Sequence, residues 1–281
     1  MCVELDVRHG IVLRPGEGEE VATADATSIK ILADLEELSA TLTWYGVRRK
    51  GAGPHIHKRH ADSFFVLDGE LVFLTADESL AAPAGSAVVV PPNVVHGFNH
   101  ERRDEVRFLN FHTPSRGFAE SLRARQRPGY EPERYDSFDP PLNAPRGARV
   151  IAPGEGDRLA NDTRTATIKI ARDELTLVEF ELEAGFEGPK PHVHRRHVDS
   201  FFVVEGEPEL RAGDETLRAE PGTFVSAPRG VVHSFSNPGP GRARLINVHA
   251  PSCDFHEYLH VMEREDDLDE STHARFDVYE V

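Results

Sequence analysis

Apolar residues along this chain come in short runs punctuated by glycine, proline and aspartate. Segments 41–45 (TLTWY), 64–67 (FFVL), 71–74 (LVFL), 88–90 (VVV) and 106–111 (VRFLNF) have strand-like lengths and are rich in β-branched and aromatic residues. Such runs predict strands rather than helices, and several in succession predict a sandwich or barrel. Val66-Leu67-Asp68-Gly69-Glu70-Leu71 reads as a hairpin turning on Asp-Gly. Helical periodicity follows each strand-rich stretch. Phe118 and Leu122 share a face at i, i+4 with Ser115 placed to cap them, and Ser252, Phe255 and Leu259 repeat the arrangement. Residues 263–270 (EREDDLDE) predict a solvated acidic stretch, and 275–281 a final short strand. The fold class is all-β, with a short helix after each set of strands.

The pattern occurs twice. Residues 54–67 (PHIHKRHADSFFVL) match 191–204 (PHVHRRHVDSFFVV) at an offset of 137. The same offset pairs Gly69 with Gly206, Gly85 with Gly222, His96 with His233, Asn110 with Asn247 and His112 with His249. Ten of the 15 histidines fall into five register-matched pairs, which marks a duplication. Between the copies, residues 126–147 are rich in proline and turn formers, a linker composition. Two domains are expected, over 1–145 (with linker 126–145) and 146–281.

Composition narrows the partners. A formal charge of −16 over 281 residues argues against a nucleic-acid partner. Cys2 and Cys253 match no repeat position, so no disulfide framework is expected, which suits a reducing compartment. No run reaches membrane-spanning length, and the first residues carry no basic, apolar leader pattern. The expectation is a cytoplasmic protein, monomer or homodimer, acting on a small molecule.

The duplicated segment carries the candidate chemistry. Histidines at i and i+2 of a strand point to one side, about 7 Å apart along the backbone, and two imidazoles so placed can converge on one ion. Asp62 heads the next strand and shares a face with Phe64 and Val66; His96 shares a face with Phe98. If both faces look inward, His55, His57, Asp62 and His96 surround one point, walled by Phe64, Val66 and Phe98. The second copy offers His192, His194, Asp199 and His233, walled by Phe201, Val203 and Phe235. His60 and His197 are additional candidate ligands or barrel-mouth residues. His112 and His249, on a late strand, are candidate hydrogen-bonding residues or bases. His100, His256, His260 and His273 have no matched partner and read as surface.

These residues resemble the two motifs of the cupin superfamily, HxH-x4-[E/D]-x6-G followed by PxG-x5-P-x4-H. The first copy matches at His55, His57, Asp62 and Gly69, then Pro83, Gly85, Pro91 and His96. The second matches at His192, His194, Asp199 and Gly206, then Gly222, Pro228 and His233, with Pro221 one position off. The resemblance implies two tandem double-stranded β-helix (jelly-roll) barrels, a metal held in each by three histidines and a carboxylate, and a pocket open at one barrel end. The family's carboxylate is usually Glu. The shorter Asp62 and Asp199 could ligate directly, through water, or only by orienting a histidine. Imidazole and carboxylate without thiolate suit Fe, Mn, Ni, Co, Cu or Zn, one ion per domain.

In layout the chain resembles the quercetin-dioxygenase-like two-domain cupins. The leading hypothesis is a metal-dependent dioxygenase acting on a small, partly apolar aromatic or enolic molecule, with Asp62 and Asp199 as candidate catalytic bases. The alternatives are a metal-dependent isomerase, epimerase or decarboxylase, and a non-catalytic small-molecule binder.

Overall fold

The structure is a computed structural model. It describes residues 9–22, 26–75, 78–100, 104–145, 147–265 and 267–281, so Cys2 lies outside the described residues. The chain forms two compact units, Gly18–Glu155 and Gly156–Val281, the latter joined by the segment up to Glu17. Each is a pair of antiparallel sheets with the core between them.

In the first unit the larger sheet runs, in spatial order, Arg149–Ile151, Ala87–Val90, Ala61–Asp68, Val106–Thr113, Ser39–Tyr45, Thr27–Asp34 and Glu19–Ala22. The smaller runs Arg49–Lys50, Gly97–His100, Glu70–Leu74 and Ser79–Pro83. Their inner faces meet at Phe64, Val66, Val88 and Phe108 from one sheet and Leu71, Phe73 and Ala82 from the other. In the second unit the larger sheet runs Ile11–Leu13, Phe224–Ala227, Val198–Glu205, Ala243–Ala250, Thr176–Leu182, Arg164–Ala171 and Asp157–Ala160. The smaller runs Glu215–Arg218, Glu209–Ala212, His233–Ser236, His192–Val193 and Tyr279–Glu280. Glu70–Leu74 and Glu209–Ala212 in the smaller sheets alternate in burial, as strands with one covered face do. Ala61–Asp68, Val106–Thr113, Val198–Glu205 and Ala243–Ala250 in the larger sheets are instead buried almost throughout.

Several local expectations are corrected. Asp68-Gly69 does not close a hairpin. Ala61–Asp68 pairs in the larger sheet and Glu70–Leu74 in the smaller, so this turn carries the chain between sheets. Gly69 has φ +73°, and a Cβ there would strike the Glu105 carbonyl. The serines do not cap through their hydroxyls. The helix Phe118–Ala124 follows a left-handed Gly117, and the Phe118 N–H donates to the Ser115 carbonyl at 3.0 Å. Before Phe255–Arg264 the Ser252 carbonyl serves likewise, and its hydroxyl bonds Thr176 at 2.7 Å.

The segments after each helix are not spacers. In the first unit Pro132–Tyr135 forms a 3-10 turn, Asp136 turns left-handed, and Phe138 bridges back to Ile56. In the second, the helix reaches Arg264 inside the expected acidic stretch, where Glu263 meets Arg164 at 2.8 Å. A further helix, Glu270–Arg275, is capped by Asp269; Asp277 then turns left-handed and Tyr279–Glu280 pairs with His192–Val193. We call these returning segments straps. Both are clamped by a cation over an aromatic ring: Lys58 at 3.7 Å over Phe138, and Arg195 at 3.8 Å over Tyr279.

Candidate functional site

The straps and strand ends fix the imidazoles by one device. In the first barrel His55, His57 and His96 each donate an Nδ1–H to a backbone carbonyl, of Gly53 (2.8 Å), Asp136 (2.9 Å) and Val94 (3.1 Å). The proton is thereby placed on Nδ1, and the Nε2 lone pairs face inward. Nε2 of His55 and His57 stand 3.2 Å apart, and His96 Nε2 is 3.2 Å from Asp62 Oδ2. Two unprotonated nitrogens facing each other at that distance do not bond; they converge on one point. All four donors lie within 4.8 Å of one another. Neighbouring ligands on an ion at about 2.1 Å stand about 3 Å apart, so the set fits a single transition metal.

The second barrel repeats this. His192, His194 and His233 donate to the carbonyls of Lys190 (2.8 Å), Asp277 (2.8 Å) and Val231 (3.0 Å). His233 Nε2 is 3.1 Å and His194 Nε2 3.9 Å from Asp199 Oδ2. Nε2 of both His194 and His233 is buried without a hydrogen-bond partner. A buried lone pair left unmet costs stability, and an ion would satisfy both. The three imidazoles cluster within 4.8 Å of one another, with Asp199 outside that group.

Burial is the main force on the imidazole pKa values. It pushes His55 down to about 4, helped by the neighbouring His96, and His192 down to about 3, helped by His233; His57 and His194 lie well below the ordinary range. At neutral pH these rings hold the unprotonated form that ligates metal.

Behind each cluster runs a buried hydrogen-bonded chain. Asn110 Nδ2 donates to Asp62 Oδ1 and to the Ser63 carbonyl. Both partners are acceptors, so the Asn110 oxygen must face the other way, where it accepts from His112 Nε2 at 3.1 Å. His112 Nδ1 is then an acceptor for His60 Nε2 at 2.8 Å, and His60 Nδ1 meets Asp136 Oδ2 at 2.9 Å. The second copy links Asp199, Asn247, His249, His197 and Asp277 in the same order. Burial raises the Asp136 carboxyl, but bonds from His60 and from the Arg59 backbone and side chain outweigh it and bring it down to about 2. The Asp136 carboxylate is thus the acceptor at the end of this chain, for His60 and for Arg59. His60 and His197 belong to this chain rather than to the barrel mouth, and His112 and His249 stack on Phe118 and Phe255 at 3.4 Å.

Above each cluster lies a cavity, of about 250 Å³ in the first barrel and about 360 Å³ in the second. Of the expected wall residues, Phe98 and Phe235 line these cavities. Phe64, Val66, Phe201 and Val203 point inward but pack deeper in the cores. Phe98 lies over Phe64 at 5.3 Å and Phe235 over Phe201 at 5.2 Å between ring centroids. Two unmatched histidines are not surface groups. His100 is buried between the carbonyls of Glu70 and Asp104, and His273, bonded to Tyr258, lines the second cavity. Sequence reasoning missed Asp136 and Asp277. A signal exists: RYDSF (134–138) and RFDVY (275–279) match at an offset of 141, four residues out of the main register.

The cupin-domain family model matches residues 46–112 and 178–249, one span in each unit. The chain is a two-domain cupin. Quercetin 2,3-dioxygenase of Bacillus subtilis (strain 168) is 24% identical over 270 residues, covering 80% of this chain and 77% of that protein. The structure of a putative glyoxylate-induced protein from Pseudomonas aeruginosa aligns with a TM-score of 0.63 at 14% identity, over 89% of this chain and 91% of that one. A salicylate 1,2-dioxygenase variant from Pseudoaminobacter salicylatoxidans aligns with a TM-score of 0.57 at 16% identity, over 80% and 74%. These structural likenesses establish the bicupin fold. Among the described residues no helix is long and apolar enough to cross a membrane.

Proposed function

We propose that this bicupin is a metal-dependent dioxygenase acting on a small aromatic or enolic molecule, with one ion per barrel. The observation that carries the proposal is the convergence of His55, His57 and His96 Nε2 with Asp62 beneath a cavity walled partly by Phe98 and Phe108. The similarity to a quercetin dioxygenase supports the same chemistry. A transition metal held there would supply Lewis acidity and, if redox-active, activation of O₂. The chain's own residues do the rest. The Nδ1 anchors hold the imidazoles in the ligating tautomer. Asn110 occupies Oδ1 of Asp62, which leaves Oδ2 on the His96 side to ligate or to accept the substrate's hydroxyl proton. Phe98 and Phe108 exclude water and favour a planar, apolar substrate body.

Oxygen uptake is the test. Protein reconstituted with each candidate metal and offered catechol-type or enolic substrates should consume O₂ in step with substrate loss. Product formed at the full rate without O₂ would replace this proposal with an isomerase or decarboxylase. No turnover with any metal would leave a non-catalytic binder.

A further inference from the structure

The two metal clusters are nearly superimposable in sequence, yet the mouths above them differ in charge. In the first barrel Arg49, Lys50 and Arg125 line the cavity, and Asp62 at its floor is the one acidic residue among its described lining. Three cations together stand out in a chain of net charge −16. Arg49 is held by a bond from Nε to the Thr27 hydroxyl at 3.1 Å. Arg125 lines the same cavity as Tyr45 and His55, on the side of the helix Phe118–Ala124.

In the second barrel the counterparts of the two arginines are apolar, and that of Lys50 is Glu187. Arg49 pairs across the sheet with His100, and its counterpart at the 137 offset, Phe186, bridges Asn237, the counterpart of His100. Phe118 and Phe255 stack on His112 and His249 with the same 3.4 Å and 15°, which fixes the helix register. In that register Arg125 corresponds to Met262, a lining residue of the second cavity. Arg164 also lines it but is taken up by Glu263 at 2.8 Å, and Glu265 and Asp267 stand at its rim.

We infer that the first barrel binds an organic acid, its carboxylate held by the guanidiniums of Arg49 and Arg125, whereas the second takes an uncharged apolar molecule. Guanidinium forks match the planar geometry of a carboxylate, and a cavity near 250 Å³ suits one ring with a short acidic side chain. The carboxylates of Glu265 and Asp267 would repel such an anion from the second site. The inference rests on the proposed function only for the ligand's oxygen-bearing end, which faces the ion.

The test uses binding, so that it stands apart from O₂ chemistry. Zinc-loaded protein carrying His194→Ala, which silences the second site, is titrated calorimetrically with 3,4-dihydroxyphenylacetate and with its methyl ester. The acid is expected to bind at least tenfold tighter than the ester, and the ratio to shrink as salt rises. Arg49→Phe with Arg125→Met should bring the ratio near one. The reciprocal Phe186→Arg with Met262→Arg, in protein silenced by His57→Ala, should create a preference for the acid. Equal binding of acid and ester by the first site, no binding of the acid, or a preference that survives the Arg49/Arg125 exchange overturns the inference. Acid preference without O₂ uptake by any metal form would sink the dioxygenase proposal and leave this inference standing; O₂ uptake without acid preference would do the reverse.

Discussion

Asn110 and Asn247 decide how the two aspartates present themselves. Each amide is forced by two acceptors to aim Nδ2 at the carboxylate, so one oxygen is occupied and the other is left facing a histidine. Such outer contacts commonly hold a ligand's orientation at tenfold to hundredfold in metal affinity. Asn110→Ala with Asn247→Ala should weaken metal binding by about that factor in chelator competition, and an unchanged affinity would contradict the role. At this scale the histidines were legible in the sequence, because i, i+2 spacing on a strand and a fivefold register match leave little freedom. Asp136 and Asp277 were not. Their partners lie 76 and 80 positions away, and the proline and turn formers that shape a strap also compose a linker. Asp136→Asn preserves volume and the carbonyl that anchors His57 but replaces the carboxylate that accepts from Arg59 and His60 with a neutral amide. Leaving a buried donor without its acceptor costs about 1–3 kcal/mol, a drop that urea unfolding would measure.

At the scale of elements, apolar runs predicted the strands to within a few residues, but not their partners. The Asp68-Gly69 pair shows why. A turn sequence specifies a reversal of the backbone, and only the core decides whether the next strand rejoins the same sheet. Here Phe64 and Phe73 meet across the two sheets at 4.8 Å between ring centroids, edge to face, and this contact requires the strands to part at Gly69. Phe64 is fully buried beneath Phe98 and Phe108. Phe64→Ala should destabilise the protein by about 3–5 kcal/mol, seen as an early thermal transition; a shift of less than a degree would mean that the site collapses without loss. The helices were legible as amphipathic faces, but their starts were not, since backbone carbonyls of Ser115 and Ser252 did what their hydroxyls were expected to do.

At the scale of the whole molecule, two clusters of buried neutral imidazoles make stability depend on pH. An imidazole whose folded pKa lies below its unfolded value of about 6.5 takes up its proton only on unfolding, so acid favours the unfolded chain. For His55, down to about 4, and His192, down to about 3, the loss begins below about pH 6.5 and grows by up to about 1.4 kcal/mol per pH unit for each. The midpoint of thermal unfolding of metal-free protein should therefore fall steadily from pH 7 to pH 5, and a flat profile would contradict the burial of neutral rings. A bound ion favours the same unprotonated rings and stabilises the folded state by mass action, so loaded protein should melt higher. The most direct measurement is the metal content of loaded, exhaustively dialysed protein. One transition-metal ion per barrel is predicted, with His57→Ala removing the first and His194→Ala the second. Protein that retains no metal, or variants that keep the full complement, would contradict the account.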